Sequence, residues 1–417
     1  MSDLTASSGL APGHEILAKA RELARYSDDP DGLTCAYMTA AHRKVAVQLA
    51  QWMREAGFDT VRVDAAGNVV GRYRACAQTE TPRLIATGSH YDTVRNGGLY
   101  DGRLGILLPM ALVAGWQARH WRPAFDFEVV GFAEEEGVRF GSTFLGSSAY
   151  IGRFDAAMLA ARDALDISMA QALSDAGHDF RELVAAGMGA RPDQYFEVHI
   201  EQGPVLLARG LAVGVVSAIA GATRRRFTLR GRAGHAGTTP MNMRRDAACA
   251  AAEIVLAIEA RCRAQRDLVG TVGKIEVPGG SINVVPGRCA FTLDLRAPLD
   301  AQRDAALADI LAAAGEICAR RGVELESETL MSAPATPCDE YARAHWHAAV
   351  AAHGLEVCEL PSGAGHDAIK LAEVAPVSML FVRCGNGGIS HHPDETVSAD
   401  DINAAAAVTQ AFLSRLA

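Results

Sequence analysis

No two of the nine cysteines form a Cys-x-x-Cys pair. Their scatter (Cys35, Cys76, Cys249, Cys262, Cys289, Cys318, Cys338, Cys358, Cys384) argues against a thiolate metal site or a disulfide framework. Buried or idle thiols in a reducing cytoplasm are the expectation. The sequence has no run of about 18 apolar residues, so no membrane span is expected. Its start, "MSDLTASSGLAPGHEIL", lacks the basic and then apolar layout of a secretory signal. Nor is there an excess of positive charge. Forty basic against 49 acidic residues leave a net charge of −9, which disfavours a general nucleic-acid surface. A local arginine can still bind a small anion. Internal repeats and low-complexity linkers are missing too.

What is present is an ordinary globular composition, 49% hydrophobic and 21% charged, over 417 residues. That length carries a large core and favours two domains. The first part alternates helix and strand patterns. Residues 40–56 carry apolar side chains at helical spacing, with Gly57 as the stop. Strands are expected at 83–89, 125–133 and 194–200, and a helix at 104–116 with Pro109 in its first turn. The alternation implies an α/β sheet with parallel members. From about 213 to 330 the order becomes strand 225–231, helix 244–263, strand 269–277, strand 288–296, helix 301–321 and strand 323–330. This β-α-β-β-α-β order is ferredoxin-like and reads as an inserted domain. Helix 340–352, strand 378–383 and helix 400–415 then return to the α/β style.

The segment "GSHYDTVRNGGLYDGRLG" at 88–105 is glycine-rich but carries neither GxGxxG nor GxxxxGK followed by Ser or Thr. It offers His90 just past a strand, Asp92 two residues on, and Asp101. Ligands of open α/β sheets collect beyond the carboxyl ends of strands. Asp92 could orient the His90 imidazole, and Asp101 could bridge two ions. Alone, the segment reads more readily as a turn with a capping aspartate. Other strand ends add weight to the metal reading. Glu134, Glu135 and Glu136 stand in a row after 125–133, where a cation would relieve their repulsion; a solvated acidic turn is the plain alternative. His199, Glu201 and Gln202 lie at the end of the strand 194–200, and His391 and His392 lie beyond 378–383. Oxygen and nitrogen donors without cysteine suit zinc, manganese, cobalt or nickel.

The segments "GSHYDTV", "GGLYDGRLG", "EEEGVRF", "VHIEQGPVL", "GRAGHAGTTPM", "GGSINVVPG", "LDLR", "SGAGHDA" and "GISHHPDE" run in order from residue 88 to 395. Through them the sequence resembles the hydantoinase/carbamoylase family of di-metal amidohydrolases, relatives of aminoacylase and the carboxypeptidase-type metallopeptidases. The resemblance implies a catalytic metal-binding domain over 1–212 and 331–417, with a mixed, largely parallel sheet. It implies an inserted dimerisation and lid domain over 213–330 and a homodimer through it, with residues that can reach the partner's site. His90, Asp101, Glu136, His199 and His391 match ligands of two divalent ions per subunit, with Asp101 bridging. Glu135 matches the catalytic acid/base and Asp92 the residue that orients His90. Arg296 matches the arginine for a substrate carboxylate. His235 and Asn283 match groups that meet the substrate and stabilise the oxyanion, and Gln202 and His366 match further pocket contacts. Without the resemblance, His235 could cap a strand and Arg296 could pair with an acidic neighbour. His392 and His345 are read as bystanders.

Two positions depart from the family pattern: Cys35 stands where many relatives have arginine, and Leu207 where they usually have glutamate. The activity implied is hydrolysis of the ureido C–N bond of a small ureido acid. "SHYDTVRNGGLYDG" and "FVRCGNGGISHHP" look most like the allantoate branch, whose reaction releases ammonia and carbon dioxide. N-carbamoyl-L-amino acids and β-ureidopropionate are the alternatives. A non-catalytic binding protein on this scaffold would have lost a ligand or Glu135, and neither is lost. "HIEQGP" with "INVVPG" argues against a dipeptidase or aminoacylase.

Overall fold

A computed structural model of the chain describes residues 11–76, 82–185 and 189–416. The first ten residues, and with them most of the segment read for a secretory leader, lie outside the described residues. Two compact units emerge. One comprises Met1–Ser217, Cys338–Leu360 and Gly365–Ala417; the other comprises Ala218–Pro337 and Pro361–Ala364. Among the described residues no helix is long and apolar enough to cross a membrane.

The first unit is built on a mixed sheet. Its strands lie in the order Thr60–Val63, Val69–Tyr73, Asp126–Phe132, Leu84–His90, Gln194–Ile200, Val377–Val382 and Val213–Ile219. The central four, from Asp126–Phe132 to Val377–Val382, are mutually parallel. The flanking pairs are antiparallel. The central strands are buried along almost their whole length, as parallel strands covered on both faces must be. That is why their sequences read as near-continuous apolar runs. At Gly88 a Cβ would fall 2.0 Å from the Val130 carbonyl oxygen, so this register admits no side chain there.

Helices cover the sheet. Ala40–Glu55 starts at Thr39, whose hydroxyl accepts from the His42 N–H, and stops before Gly57 at φ 91°. Leu104–Ala118 is apolar on nearly all sides and packs on the strands Leu84–His90 and Gln194–Ile200. Pro109 lies in this helix beyond the first turn, not within it as expected. Its ring supplies no N–H to the helix ladder, a cost the surrounding packing offsets. Glu340–Ala352 and Ala399–Leu416 meet through Trp346, which stacks on Phe412 with ring centroids 3.7 Å apart. The Trp346 Nε1–H donates to Ser378 Oγ at 3.0 Å, tying the pair to the strand Val377–Val382.

In the second unit the expected β-α-β-β-α-β order is the order observed. Its four-strand path, Ile275–Glu276, Arg288–Ala297, Gly221–Arg230, Glu324–Ala333, is antiparallel throughout. The strand expected at 269–277 is two short pieces, Val269–Thr271 and Ile275–Glu276, each paired with Arg288–Ala297. Helices Ala247–Arg263 and Asp300–Arg321 bury Ile254, Ile258 and Ile310 with Phe227, Phe291 and Leu293 of the sheet. The other sheet face is charged, with Arg226 near Glu328 and Arg230 near Glu326.

Trp346→Ala removes the stacked ring and its hydrogen bond together. It is expected to destabilise the fold by about 3–5 kcal/mol, read as a lowered midpoint in urea. Trp346→Phe should lose clearly less.

Candidate active site

The four parallel strands end side by side, and their ends supply one cluster. His90 is the last residue of its strand and His199 the last but one of Gln194–Ile200. Glu134, Glu135 and Glu136 follow Asp126–Phe132, and His391 lies in the loop beyond Val377–Val382. Asp101 stands at the centre, just before the helix Leu104–Ala118. Its Oδ1 is 3.4 Å from His90 Nε2 and 3.2 Å from His199 Nε2, and its Oδ2 is 3.1 Å from His391 Nε2. His391 Nε2 is also 3.6 Å from Glu136 Oε1. Gly102 makes this approach feasible: at φ 67°, a Cβ there would lie 2.4 Å from the His90 carbonyl oxygen and 2.6 Å from its ring.

The charges settle accordingly. Burial alone would neutralise Asp101, but hydrogen bonds with His199, His391 and His90 prevail and pull its pKa well below the usual carboxylate range. Burial likewise opposes a charged His90, yet its bonds to Asp101 and Asp92 push its pKa well above the ordinary value. In the same way the bond to Asp101 raises His199 against its burial.

Asp92 holds the opposite wall. Its Oδ1 and Oδ2 accept the backbone N–H groups of Glu135 and Glu136, each at 3.1 Å. Its Oδ1 is 3.4 Å from His90 Nδ1, and its carbonyl oxygen is 3.1 Å from the same nitrogen. Asp92 thus touches both the imidazole and the glutamate turn. Burial raises the Glu135 pKa well above the usual range, with help from Glu136, Asp367 and Asp92 and against the pull of His90. Glu136 is raised to about 7 by burial, then by Asp101 and Asp92, against His90 and His391. The row of three is therefore no solvated turn: Glu134 and Glu135 are buried.

Gln202 joins the cluster, its Nε2 donating to Asp101 Oδ2 at 2.9 Å and lying 3.2 Å from His391 Nε2. His366 is buried edge-on against His199, ring centroids 4.5 Å apart, and burial with the nearby His199 drives its pKa well down. Glu197, not singled out from the sequence, sits within ligand distance of His199 and His366. It accepts from Ser89 Oγ at 2.7 Å and the Ala368 N–H at 3.1 Å. Its position two residues before His199, in strand alternation, was the signal available. His392 Nδ1 accepts from the Asp394 N–H and His345 Nδ1 bonds the Tyr341 carbonyl oxygen, both local roles. Cys35 is buried beside Arg103, its thiol pushed up to about 12 by burial, and Leu207 lies part-exposed on the short helix Val205–Arg209.

The remaining three belong to the second unit. His235 and Asn283 are brought together: the Ala236 N–H donates to the Asn283 carbonyl oxygen at 2.9 Å, and His235 pairs with Val284. Arg296 lies on the charged sheet face. Its Nε and Nη2 chelate Asp294 at 2.8 and 3.0 Å, and its Nη1 donates to the Gly363 carbonyl oxygen. The acidic neighbour therefore occupies the Nε/Nη2 edge of the guanidinium, and the Gly363 carbonyl oxygen holds Nη1.

The donor sets fit divalent cations. His90, Asp101 and His199 offer ligand atoms within 4.8 Å of one another; so do Asp101, Glu136 and His391, and so do His90, Glu135 and Glu136. Asp101 belongs to two of these sets, one through each histidine-facing oxygen. Oxygen and imidazole donors without thiolate match zinc or manganese.

Comparison with known proteins agrees with this geometry. The model of Peptidase family M20/M25/M40 matches residues 86–415. The N-carbamoyl-L-amino acid amidohydrolase of Geobacillus stearothermophilus is 39% identical over 391 residues, 93% of this chain and 95% of that protein. Allantoate deiminase 1 of Glycine max is 37% identical over 437 residues, 96% of this chain and 89% of that protein. The crystal structure of a hydantoinase/carbamoylase family amidase from Burkholderia multivorans superposes with a TM-score of 0.89 at 32% identity, covering 97% of each chain.

One pH dependence follows for the metal-free chain. Glu136 is raised from an ordinary 4.5 to about 7, so it stabilises the fold fully below 4.5, and that contribution is gone above about 7. The melting temperature of chelator-treated protein should therefore fall as pH rises through this window. Glu136→Gln should flatten that part of the profile; an unaltered slope would refute the assignment.

Proposed function

Because the chain belongs to Peptidase family M20/M25/M40 and, within it, to the hydantoinase/carbamoylase amidases, we propose that it hydrolyses the ureido C–N bond of allantoate. The observation that carries the chemistry is the convergence of His90, His199 and His391 on one carboxylate, Asp101, beside the buried Glu135. In this reading His90, His199, His391, Asp101 and Glu136 hold two divalent ions, zinc or manganese. Bound there, the pair supplies Lewis acidity and a water made easier to deprotonate. Glu135 would take a proton from the attacking water as it adds to the ureido carbonyl carbon, then deliver it to the departing nitrogen. Asp92 keeps the His90 ring in place. Arg296 receives the substrate carboxylate, and His235 with Asn283 stabilises the oxyanion. Cleavage of the terminal amide gives ammonia and a carbamate that decomposes to carbon dioxide.

Allantoate is favoured by the segments "SHYDTVRNGGLYDG" and "FVRCGNGGISHHP". N-carbamoyl-L-amino acids form the second reading, favoured by the 39% identity to the Geobacillus stearothermophilus enzyme. Met241, Met243, Ile275 and Ile282 stand exposed on the second unit, which supports pairing with a second copy there. The nine free cysteines support a reducing, cytoplasmic setting.

Ammonia release should be measured on allantoate, N-carbamoyl-L-methionine and N-carbamoyl-β-alanine with added manganese. Allantoate is expected to be cleaved fastest; cleavage of N-carbamoyl-L-methionine alone would transfer the assignment to the second reading. Glu135→Gln should lower kcat by roughly 10²–10⁴-fold with KM little changed. Sedimentation equilibrium should return a dimer, and a monomer with full activity would contradict the pairing.

A further inference from the structure

Glu395 lies four residues beyond His391 and is buried at 2% exposure. Its Oε1 accepts the backbone N–H of Tyr100 at 2.8 Å and that of Asp101 at 3.1 Å. Its Oε2 accepts the Ser390 hydroxyl at 2.7 Å. One carboxylate thus fastens the turn that carries Asp101 to the loop that carries His391, across almost three hundred residues of chain. The loop is closed on itself as well: the Gly385 N–H donates to the Thr396 carbonyl oxygen at 2.7 Å, and Asn386 Nδ2 donates to the Asp394 carbonyl oxygen at 2.8 Å.

Two further details mark the position as built for this carboxylate. A Cβ at Gly98 would lie 2.2 Å from the Glu395 carboxyl, so only glycine leaves it room. Ser390 has one hydroxyl hydrogen and two acceptors, Glu395 Oε2 at 2.7 Å and Asp101 Oδ2 at 3.2 Å. The shorter contact takes the hydrogen. Without Glu395 that hydrogen would turn to Asp101 Oδ2, the oxygen that faces His391.

We propose that Glu395 is a positioning residue for cation binding: it sets the Asp101 carboxylate by its backbone, keeps the Ser390 hydroxyl off it, and locks the His391 loop in register. This rests on the reading of the cluster as a metal site and is independent of which ureido acid is cleaved. Partners that orient metal ligands are worth about 10–100-fold in affinity when removed.

The test is a calorimetric titration of chelator-stripped protein with manganese, without substrate, on variants whose folding is checked by circular dichroism and melting. Wild type should take up two ions. Glu395→Ala should weaken at least one of them by about 10–100-fold, and Gly98→Ala, which displaces the carboxylate without deleting it, should do likewise. Glu395→Gln keeps an oxygen for the two backbone donors but turns its NH2 to Ser390, so it should recover part of the affinity. Folded Glu395→Ala that binds both ions like wild type overturns the proposal, as does Glu395→Gln no better than Glu395→Ala. Should Glu395→Ala not fold, Gly98→Ala decides: weakened uptake supports the proposal and unchanged uptake overturns it. A wild-type chain that takes up no manganese would instead remove the metal reading itself.

Discussion

The Asp101 carboxylate is the point on which the molecule depends. Three imidazoles from three separate chain segments meet its two oxygens at 3.1–3.4 Å. Such a meeting is costly to assemble, because each polar group leaves water. The sheet makes it possible. Four parallel strands, buried along almost their whole length, fix the starting point of the contributing loops. Gly102 and Gly88 then let backbone and ring approach more closely than any side chain would allow.

Much of this was legible in the residues. The central strands declare themselves as apolar runs, because covered parallel strands have no wet face, and the chemistry-bearing residues follow directly at their ends. Weaker signals failed for physical reasons. The edge strand Thr60–Val63 is only four residues long and largely exposed, too short for its alternating valines to stand out. The strand expected at 269–277 is interrupted at Val272 and Gly273, and Lys274 keeps one bond to the neighbouring strand, its carbonyl oxygen accepting the Thr292 N–H. Pro109 was read by the common preference of proline for a helix start, and tertiary packing overrode that preference.

The side chains that touch the presumed ligands directly could be found by residue type and order. Those that hold them could not. Glu197 is recognisable only once Ser89 and Ala368 are seen to donate to it. Glu395 serves donors at Tyr100 and Asp101, and no local spacing encodes such a partnership. Arg296 shows the complementary case. Of the two readings open for it, the acidic neighbour is the one on view: Asp294 takes the Nε/Nη2 edge, and the Gly363 carbonyl oxygen holds Nη1.

The members of the cluster differ sharply in their access to water. The His391 side chain is 49% exposed, whereas those of His90, His199 and Asp101 are between 1% and 6%. Of these four groups, His391 is therefore the one that bulk water and its solutes reach, while the other three answer chiefly to one another.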